Sequence, residues 1–197
     1  PADSTDATES NAFTYDGSNT KADFLSIFNI SDFNVLTLGA DLLNEKGSNT
    51  SAYSSSPSIF EEISTLTKSV FLHDSISAFD MLYLNAGARI DDHEIFGSHT
   101  TWDVSGAFII PFTGTKLKSS AGTGFRAPTL SELYGQYGAN PDLKPETSFI
   151  YDAGIYQELF EGIFSADLTY FRQQYEDTIT WHSTGAYSGF YDNSDGN

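Results

Sequence analysis

Residues 122–146 read GTGFRAPTLSELYGQYGANPDLKPE, and this stretch decides how the rest of the chain is interpreted. It opens like the end of a β-strand, which Pro128 stops because proline lacks the backbone donor that a β-ladder needs. A short helical segment is expected over residues 129–134, with Thr129 or Ser131 accepting from its free amides. An Asn-Pro and a Lys-Pro dipeptide then form turns. The stretch predicts two strands joined by an ordered loop.

Most of the chain shows the period-two alternation of apolar and polar residues that is typical of β-strands. In residues 81–90, leucines and alanines alternate with polar side chains such as Asn85 and Arg89. Similar segments recur at intervals of roughly 8–12 residues from residue 21 onward, a pattern typical of all-β proteins. We therefore expect an all-β, antiparallel up-and-down meander of about nine strands over residues 21–197. A polar, acidic loop that could be mobile is expected over residues 1–20.

The predicted connections between strands alternate in length. Short turns are expected at residues 31–32, 79–80, 111–115 and 160–162, and long loops at residues 44–66, 91–99 and 126–147. Residues 176–186 form either a fourth long loop or the continuation of the preceding strand through Ile179 and Trp181 to a turn at Gly185. An antiparallel meander places successive connections at opposite ends, so all the short turns would lie together. Short turns on one side and long loops on the other are typical of outer-membrane barrels. The alternation by itself fits a soluble sandwich equally well, with the apolar face as its core.

The opening stretch resembles the barrel of the TonB-dependent outer-membrane receptors. In that family a strand reading Gly-Thr-x-Phe-Arg/Lys-Ala-Pro leads into x-Leu-x-x-Leu-Tyr-Gly, and a loop with Gly-Asn-Pro-x-Leu-x-Pro-Glu follows. The matching residues here are Gly122, Thr123, Phe125, Arg126, Ala127, Pro128, Leu130, Leu133, Tyr134, Gly135, Gly138, Asn140, Pro141, Leu143, Pro145 and Glu146, with Ala139 as an insertion. Vitamin B12 receptors are the most similar branch, through Asp-Asp-x-Glu-x-Phe-Gly-x-His at residues 91–99.

The resemblance implies a partial transmembrane β-barrel of the bacterial outer membrane, with short periplasmic turns and long extracellular loops. It also implies a receptor that binds a corrinoid or an iron-siderophore and imports it. A TonB-type energy-coupling protein would drive import through a plug domain. No plug or coupling box is found, and large plugged barrels have about 22 strands, so we expect a piece of a longer receptor. A passive porin-like barrel and a soluble secreted β-sandwich that binds glycans are the alternatives.

Composition and motif searches exclude several other functions. The net charge of −18, from 9 basic and 27 acidic residues, would repel a nucleic acid backbone. Without cysteine there is no disulfide and no thiolate metal site. Neither a Gly-x-Ser-x-Gly elbow nor a His-Glu-x-x-His helix motif occurs, and Gly122-Thr-Gly124 lacks the third glycine of a dinucleotide-binding loop. We therefore expect no enzymatic activity and no cofactor.

Candidate binding residues lie in the predicted external loops. Tyr134, Gln136 and Tyr137 are the ligand candidates, because loops carry binding and tyrosine offers a rigid amphipathic contact surface. The carboxylates of Asp91, Asp92 and Glu94 are the metal candidates, since carboxylate oxygens suit a hard cation such as Ca²⁺. The alternative interpretation of these acids is an ordinary solvated loop. Arg126 is expected to have a structural role, bonding to loop carbonyls or to a neighbouring acid.

Overall fold

Ten β-strands and one short helix make up the described part of this computed structural model, which covers residues 12–52, 58–135, 137–185 and 188–194. In chain order the elements are β1 (Ala12–Ser31), β2 (Asn34–Ala52), β3 (Ser58–Ala78), β4 (Leu82–His93), β5 (Gly97–Ile110), β6 (Thr115–Arg126), α1 (Leu130–Tyr134), β7 (Glu146–Leu159), β8 (Phe164–Glu176), β9 (Thr178–Gly185) and β10 (Ser188–Ser194). Strands β1 to β8 form one antiparallel sheet in sequence order, and β9 pairs with β10 in a separate hairpin. The predicted all-β meander is confirmed.

The connections at one end of the sheet are all short, as the sequence predicted. They are residues 32–33, 79–81, 111–114 and 160–163. Since the strands are antiparallel and neighbours in sequence, these four turns lie together and the remaining connections lie at the opposite end. We call the end with the four short turns the turn end and the opposite end the mouth end.

The first three strands extend far beyond the others at the mouth end. β3 pairs with β4 only from Thr67 onward, so its residues 58–66 continue for roughly 30 Å past the β4–β5 turn, at about 3.4 Å per residue. Residues 12–20 of β1 and 44–52 of β2 continue with them. These three segments are called the extension below.

Two sequence-based predictions are wrong in the region of the extension. A polar loop over residues 1–20 and a long loop over residues 44–66 were expected, but strands occupy the described parts of both ranges. Residues 1–11 and 53–57 lie outside the described residues. The segment NEKGSNTSA of β2 is polar or small at every position, so alternation could not reveal the strand. Its backbone ladder forms without an apolar face.

A further loop prediction is wrong. The loop expected over residues 91–99 is a three-residue turn, because β4 runs to His93 and β5 starts at Gly97, which has a φ of +75°. The Nδ1 of His93 accepts hydrogen bonds from the amides of Ile95 and Phe96, at 3.2 and 3.4 Å, and so shapes this turn. Of the two alternatives for residues 176–186, the strand is the one observed, since β9 includes Ile179 and Trp181 and ends at Gly185.

One face of the sheet is apolar and uncovered. Leu82, Phe108, Leu117, Ile155 and Leu168 are successive cross-strand partners and form one apolar row across β4 to β8. Within this outer face Leu84, Phe108 and Leu168 are 42%, 43% and 73% exposed. They do not meet in a dry core between two sheets, which excludes the sandwich for the described residues. The buried large apolar residues among those described are Leu130, Leu133 and Leu143, all between β6 and β7.

The opposite, inner face is polar and hydrogen-bonded from strand to strand. Ser75 donates to Asn85 at 2.8 Å, and the Asn85 amide donates to Ser105 at 3.2 Å. Lys118 on β6 forms a 2.7 Å ion pair with Asp167 on β8. A soluble protein would bury its apolar face and expose its polar one. Here the exposed apolar face would be unfavourable in water, whereas it is stable in contact with the hydrocarbon of a bilayer.

No helix within the described ranges has the length and apolar character to cross a membrane.

A charge placed on the outer face tests the orientation of the sheet. Leu168→Arg in the full-length receptor should lower the free energy of unfolding by about 2–4 kcal/mol, because it puts a guanidinium near the middle of the hydrocarbon. The matched control is Thr169→Arg, whose side chain starts on the inner face beside Asp167 and should cost much less. Urea unfolding of both variants in lipid vesicles measures the difference. Equal losses would contradict the assignment of the faces.

Candidate functional site at the barrel mouth

Helix α1 is short, capped at its start and packed inward. The hydroxyl of its N-cap residue Thr129 accepts from the Glu132 amide at 3.2 Å, and the Glu132 carboxylate accepts from the Thr129 amide at 2.7 Å. This reciprocal pair is a capping box, which satisfies amides that a helix start leaves free. Leu130 and Leu133, three positions apart, share one helix face and are buried. A Cβ built on Gly47 of β2 would lie 3.4 Å from Leu130, so α1 reaches the extension.

Arg126 joins four elements through two glutamates. Its guanidinium donates to Glu146 at the start of β7 and, at 3.2 Å, to Glu132 of α1. The second oxygen of the Glu146 carboxylate accepts from the amide of Ile179 on β9, at 2.6 Å. The hydrogen bond from Arg126 holds the pKa of Glu146 below its usual range, so this carboxylate stays ionised at neutral pH. The acidic partner predicted for Arg126 is confirmed.

The Gly-Ala-Asn-Pro part of the loop is fixed to the β9–β10 hairpin. The Gly138 carbonyl accepts from the Tyr191 amide at 2.7 Å, and the Asn140 amide side chain donates to the Tyr191 carbonyl at 3.1 Å. Asn140 also accepts from the Asp142 amide, at 3.0 Å, in an Asx turn. Gly138 has a φ of +62°, and a Cβ there would lie 2.4 Å from both the Gly189 carbonyl and the Trp181 ring. Glycine is therefore required by conformation and by space.

Asn193 completes the attachment of the loop. Its side-chain oxygen accepts from the Lys144 amide at 2.8 Å, and its nitrogen donates to the carbonyls of Lys144 and Asp177 at 3.0 and 2.6 Å. Leu143, beside Lys144, is buried. The motif residues that suggested the family therefore bond mainly to one another and to the neighbouring hairpin. They build a fixed loop, described over residues 127–135 and 137–145, which we call the mouth loop.

The three predicted ligand residues are placed differently. Tyr137 is 56% exposed on the mouth loop, where a ligand can reach it. Tyr134 ends α1 and is half-buried. Gln136 lies outside the described residues. Ligand contact by all three stays a prediction.

The predicted metal ligands do not converge. Asp91 accepts from Arg89 at 2.8 Å and from Ser69 at 2.5 Å on the inner face, whereas the next residue, Asp92, starts on the outer face. The Glu94 carboxylate accepts from the Leu66 amide at 2.9 Å. Within the described ranges, no group of three or more acids and histidines is arranged to hold a metal ion. Of the two interpretations that the sequence left open for these acids, a shared cation site is not formed within the described residues.

An ion-pair cluster that was not predicted from the sequence lies on the inner face. Arg89 of β4 donates to Asp41 of β2 at 2.7 Å as well as to Asp91, and Lys21 of β1 lies 3.9 Å from Asp41. The Arg89 guanidinium also lies 5.5 Å from the ring centre of Phe71. Asp41 is buried although it sits between leucines and alanines in sequence. Alternation indicated its inner position, but only the register across three strands identifies its partners.

Strands β5 and β6 separate below the mouth. Their ladder stops at the pair Asp103–Gly122, although β5 stays paired with β4, and β6 with β7, beyond this level. The opening is one part of a cleft of about 1220 Å³ that continues along β7 and β8. The His99 ring of β5 stacks on Phe125 of β6 across the opening, with centroids 4.0 Å apart. Backbone groups outside a ladder need water or other partners, so this level lies above the hydrocarbon of the membrane.

These features define a class of protein. A single antiparallel sheet with an uncovered apolar outer face, a polar inner face, short turns at one end and a fixed loop at the other is part of the wall of a transmembrane β-barrel. Because such barrels occur in outer membranes, the geometry also gives the location.

The family follows from comparison with known proteins. The family described as "TonB dependent receptor-like, beta-barrel" matches residues 2–197. The chain belongs to this family of bacterial outer-membrane proteins, as the motif in residues 122–146 indicated.

Two relatives and one solved structure place the chain within the family. The vitamin B12 transporter BtuB of Vibrio vulnificus (strain YJ016) is 41% identical over 100 residues, covering 51% of this chain and 16% of that protein. The iron-regulated outer membrane virulence protein of Vibrio cholerae serotype O1 is 33% identical over 119 residues, covering 56% of this chain and 18% of that protein. The chain thus spans less than a fifth of these relatives.

The fold comparison agrees with the family. The crystal structure of the siderophore receptor PirA from Pseudomonas aeruginosa has a TM-score of 0.71 and 22% sequence identity, covering 93% of this chain and 35% of that one. At this identity the likeness shows the fold alone. The matched family is described as receptor-like and the relative from Vibrio vulnificus is named a transporter, in agreement with the prediction that the chain is not an enzyme.

Removing Arg126, which directly precedes the mouth loop, should loosen the loop. Arg126→Ala breaks the hydrogen bonds to Glu132 and Glu146, each of a type that contributes about 1.5–3 kcal/mol when buried. Because Arg126 is 43% exposed, we expect a smaller local loss of roughly 1–2 kcal/mol. Hydrogen exchange of the α1 amides in the full-length receptor measures it. Arg126→Lys keeps the charge and should lose less, whereas unchanged exchange in Arg126→Ala would contradict the role of the pair.

Two glycines with positive φ provide a matched test of the contact between the mouth loop and the hairpin. Gly97→Ala should cost about 1 kcal/mol from backbone conformation alone, because no atom lies within 4 Å of the new Cβ. Gly138→Ala adds a steric clash with Gly189 and Trp181, and should cost roughly 1–3 kcal/mol more. Thermal unfolding and limited proteolysis of the mouth loop compare the two variants. Equal effects would show that the clash relaxes freely and that the contact is loose.

Proposed function

We propose that the chain is the part of a receptor barrel that helps to capture a scarce, large ligand, a corrinoid or a ferric siderophore, at the outer surface. The receptor imports this ligand with energy from a TonB-type coupling protein, which acts through a plug domain in the rest of the receptor. The observation that carries the proposal is the mouth loop. Its motif residues hold the loop, including α1, against the extension and the β9–β10 hairpin. Tyr137 stays exposed on the loop.

The relatives support both ligand classes. The 41% identity to the vitamin B12 transporter BtuB covers half of this chain and favours a corrinoid. The iron-regulated protein of Vibrio cholerae, at 33% identity, favours an iron carrier. Both ligands are large and rigid, and a loop held in place before binding suits such ligands because little conformational entropy is lost on contact. Outer-membrane lipid is the second partner, along the apolar face.

Uptake by whole cells separates active import from the passive alternative. Cells that produce the full-length receptor should accumulate labelled cyanocobalamin or a labelled ferric catecholate siderophore, and accumulation should stop in a strain without the coupling protein. Binding at the cell surface should persist there. Uptake that is unaffected by loss of the coupling protein, together with steady conductance in planar bilayers, would indicate a porin-like channel instead.

The exposed tyrosine of the mouth loop gives a residue-level test. Tyr137→Ala should weaken ligand binding roughly tenfold, which corresponds to about 1.4 kcal/mol. Tyr137→Phe should keep most of the affinity if the ring supplies the contact. The matched control is Tyr170→Ala, which removes a tyrosine of similar exposure from the lipid-facing side of β8. Equal binding by Tyr137→Ala and the unsubstituted receptor would remove Tyr137 from the site.

A further inference from the structure

Two glycines face each other on the inner face of the extension. Gly17 of β1 is the register partner of Gly47 of β2, and both lie on the polar inner face, in phase with Asp41 further along β2. Glycine weakens a strand because it has no side chain to pack, and in a strand it often marks a place where another group approaches the backbone closely. The neighbours of this pair are therefore informative.

The ring of Tyr15 occupies the space above the two glycines. A Cβ built on Gly17 would lie 3.1 Å from Cε1 of Tyr15 and 3.7 Å from its Cζ, and a Cβ built on Gly47 would lie 3.0 Å from its hydroxyl oxygen. The side chain of Tyr15 therefore lies along the sheet, across both glycines, instead of standing away from its strand. Because a side chain at either glycine would crowd the ring, the glycine pair forms a seat for it.

The side of this ring that faces away from the sheet is open. Tyr15 is 45% exposed although its ring rests on the two glycines. Leu130, at the start of α1, also borders Gly47, since its Cδ1 lies 3.4 Å from the Cβ position built there. The ring thus lies beside the mouth loop, on the face of the wall that lines the lumen. A rigid aromatic surface at this place can contact a ligand that enters the mouth.

The charges around the ring indicate the kind of ligand. Among the described residues of the extension, Lys46 is the only basic one, and it forms a 3.1 Å ion pair with Glu62. Lys21, just below the extension on the inner face, is paired with Asp23 at 2.6 Å. A ferric catecholate siderophore is an anion, and it would meet no unpaired cation on this described part of the wall. A corrinoid presents a rigid macrocycle with uncharged amide side chains, which a tyrosine ring and hydroxyl can contact without a cation.

We propose that Tyr15, seated on Gly17 and Gly47, contacts an uncharged macrocyclic ligand, and that the extension thereby selects a corrinoid over an anionic iron carrier. This inference rests on the proposed function, because it names the ligand that the same mouth captures. Tyr15 on the extension and the exposed Tyr137 on the mouth loop contact this ligand from two separate elements. The seat holds the ring in one position before the ligand arrives, so little side-chain entropy is lost on contact.

Ligand binding by the full-length receptor with substitutions at Tyr15 tests this contact. Dissociation constants are measured for cyanocobalamin and for a ferric catecholate siderophore. Tyr15→Leu keeps an apolar cover over the glycines but removes the ring, and should weaken cyanocobalamin binding about tenfold, a loss typical of one aromatic contact. Tyr15→Phe keeps the ring and should lose less. The matched control is Tyr170→Leu on the lipid-facing side of β8, which should leave the dissociation constant unchanged.

Hydrogen exchange of the extension separates a ligand contact from a purely structural role of the ring. The amides of residues 12–20 and 44–49 should exchange equally in Tyr15→Leu and in the unsubstituted receptor. Weaker binding together with faster exchange there would overturn the contact, because the ring would then act on the fold alone. Unchanged cyanocobalamin binding by Tyr15→Leu, or equal losses in Tyr15→Leu and Tyr15→Phe, would also overturn it.

The second ligand distinguishes failure of this inference from failure of the proposed function. The unsubstituted receptor should bind cyanocobalamin more tightly than the ferric siderophore. If it binds the siderophore equally well or more tightly, the selection of a corrinoid is wrong, and the capture of a scarce ligand still stands. Binding of neither compound would contradict the proposed function itself, and this inference would fail with it.

Discussion

The pairing of backbone amides and carbonyls between neighbouring strands is the constraint on which this structure depends. Inside a bilayer no water can satisfy an unpaired group, so a chain that crosses it as strands must keep its ladder unbroken. From the turn end up to the level of Asp103 and Gly122, β1 to β8 are paired in register. Above that level the ladder is free to open, and it does so between β5 and β6. The outer edges of β1 and β8 carry backbone groups that are not paired within this sheet, and a barrel satisfies such groups by closing the sheet.

How much could be predicted from the sequence depends on the solvent on each side of a strand. Where lipid lies on one face and the polar lumen on the other, residues alternate, and β4 and β8 were predicted almost to their ends. Where water lies on both faces, alternation disappears, and β2 was predicted to stop at Leu43 although it continues to Ala52. Alternation in the sequence therefore predicts the membrane-spanning part of each strand better than it predicts the full length of the strand.

The mouth loop shows a second limit of the sequence. Its residue types were sufficient to identify the family, and the capping threonine was among the two candidates named. The contacts themselves depend on residues far away in the chain. Asn193 is 49 positions from Lys144, and nothing in either local sequence indicates the two hydrogen bonds between them. The acids Asp91 and Asp92 stay apart for a related reason, since adjacent residues on a strand point to opposite faces and the expected loop is a strand here.

The mouth loop and the turn end depend on the barrel wall in different ways. At the mouth, polar side chains satisfy backbone groups that have left the ladder, so the loop keeps one conformation in water. The loop loses its conformational entropy when the protein folds. In the proposed function, a ligand that contacts the exposed Tyr137 therefore binds without a further entropy cost for ordering the loop. At the turn end, Phe79, Phe112 and Phe160 hold positive φ values in turns whose two ends are fixed by paired strands. Strain of this kind persists where the surrounding structure determines the backbone, and here the ladders on either side of each turn do so.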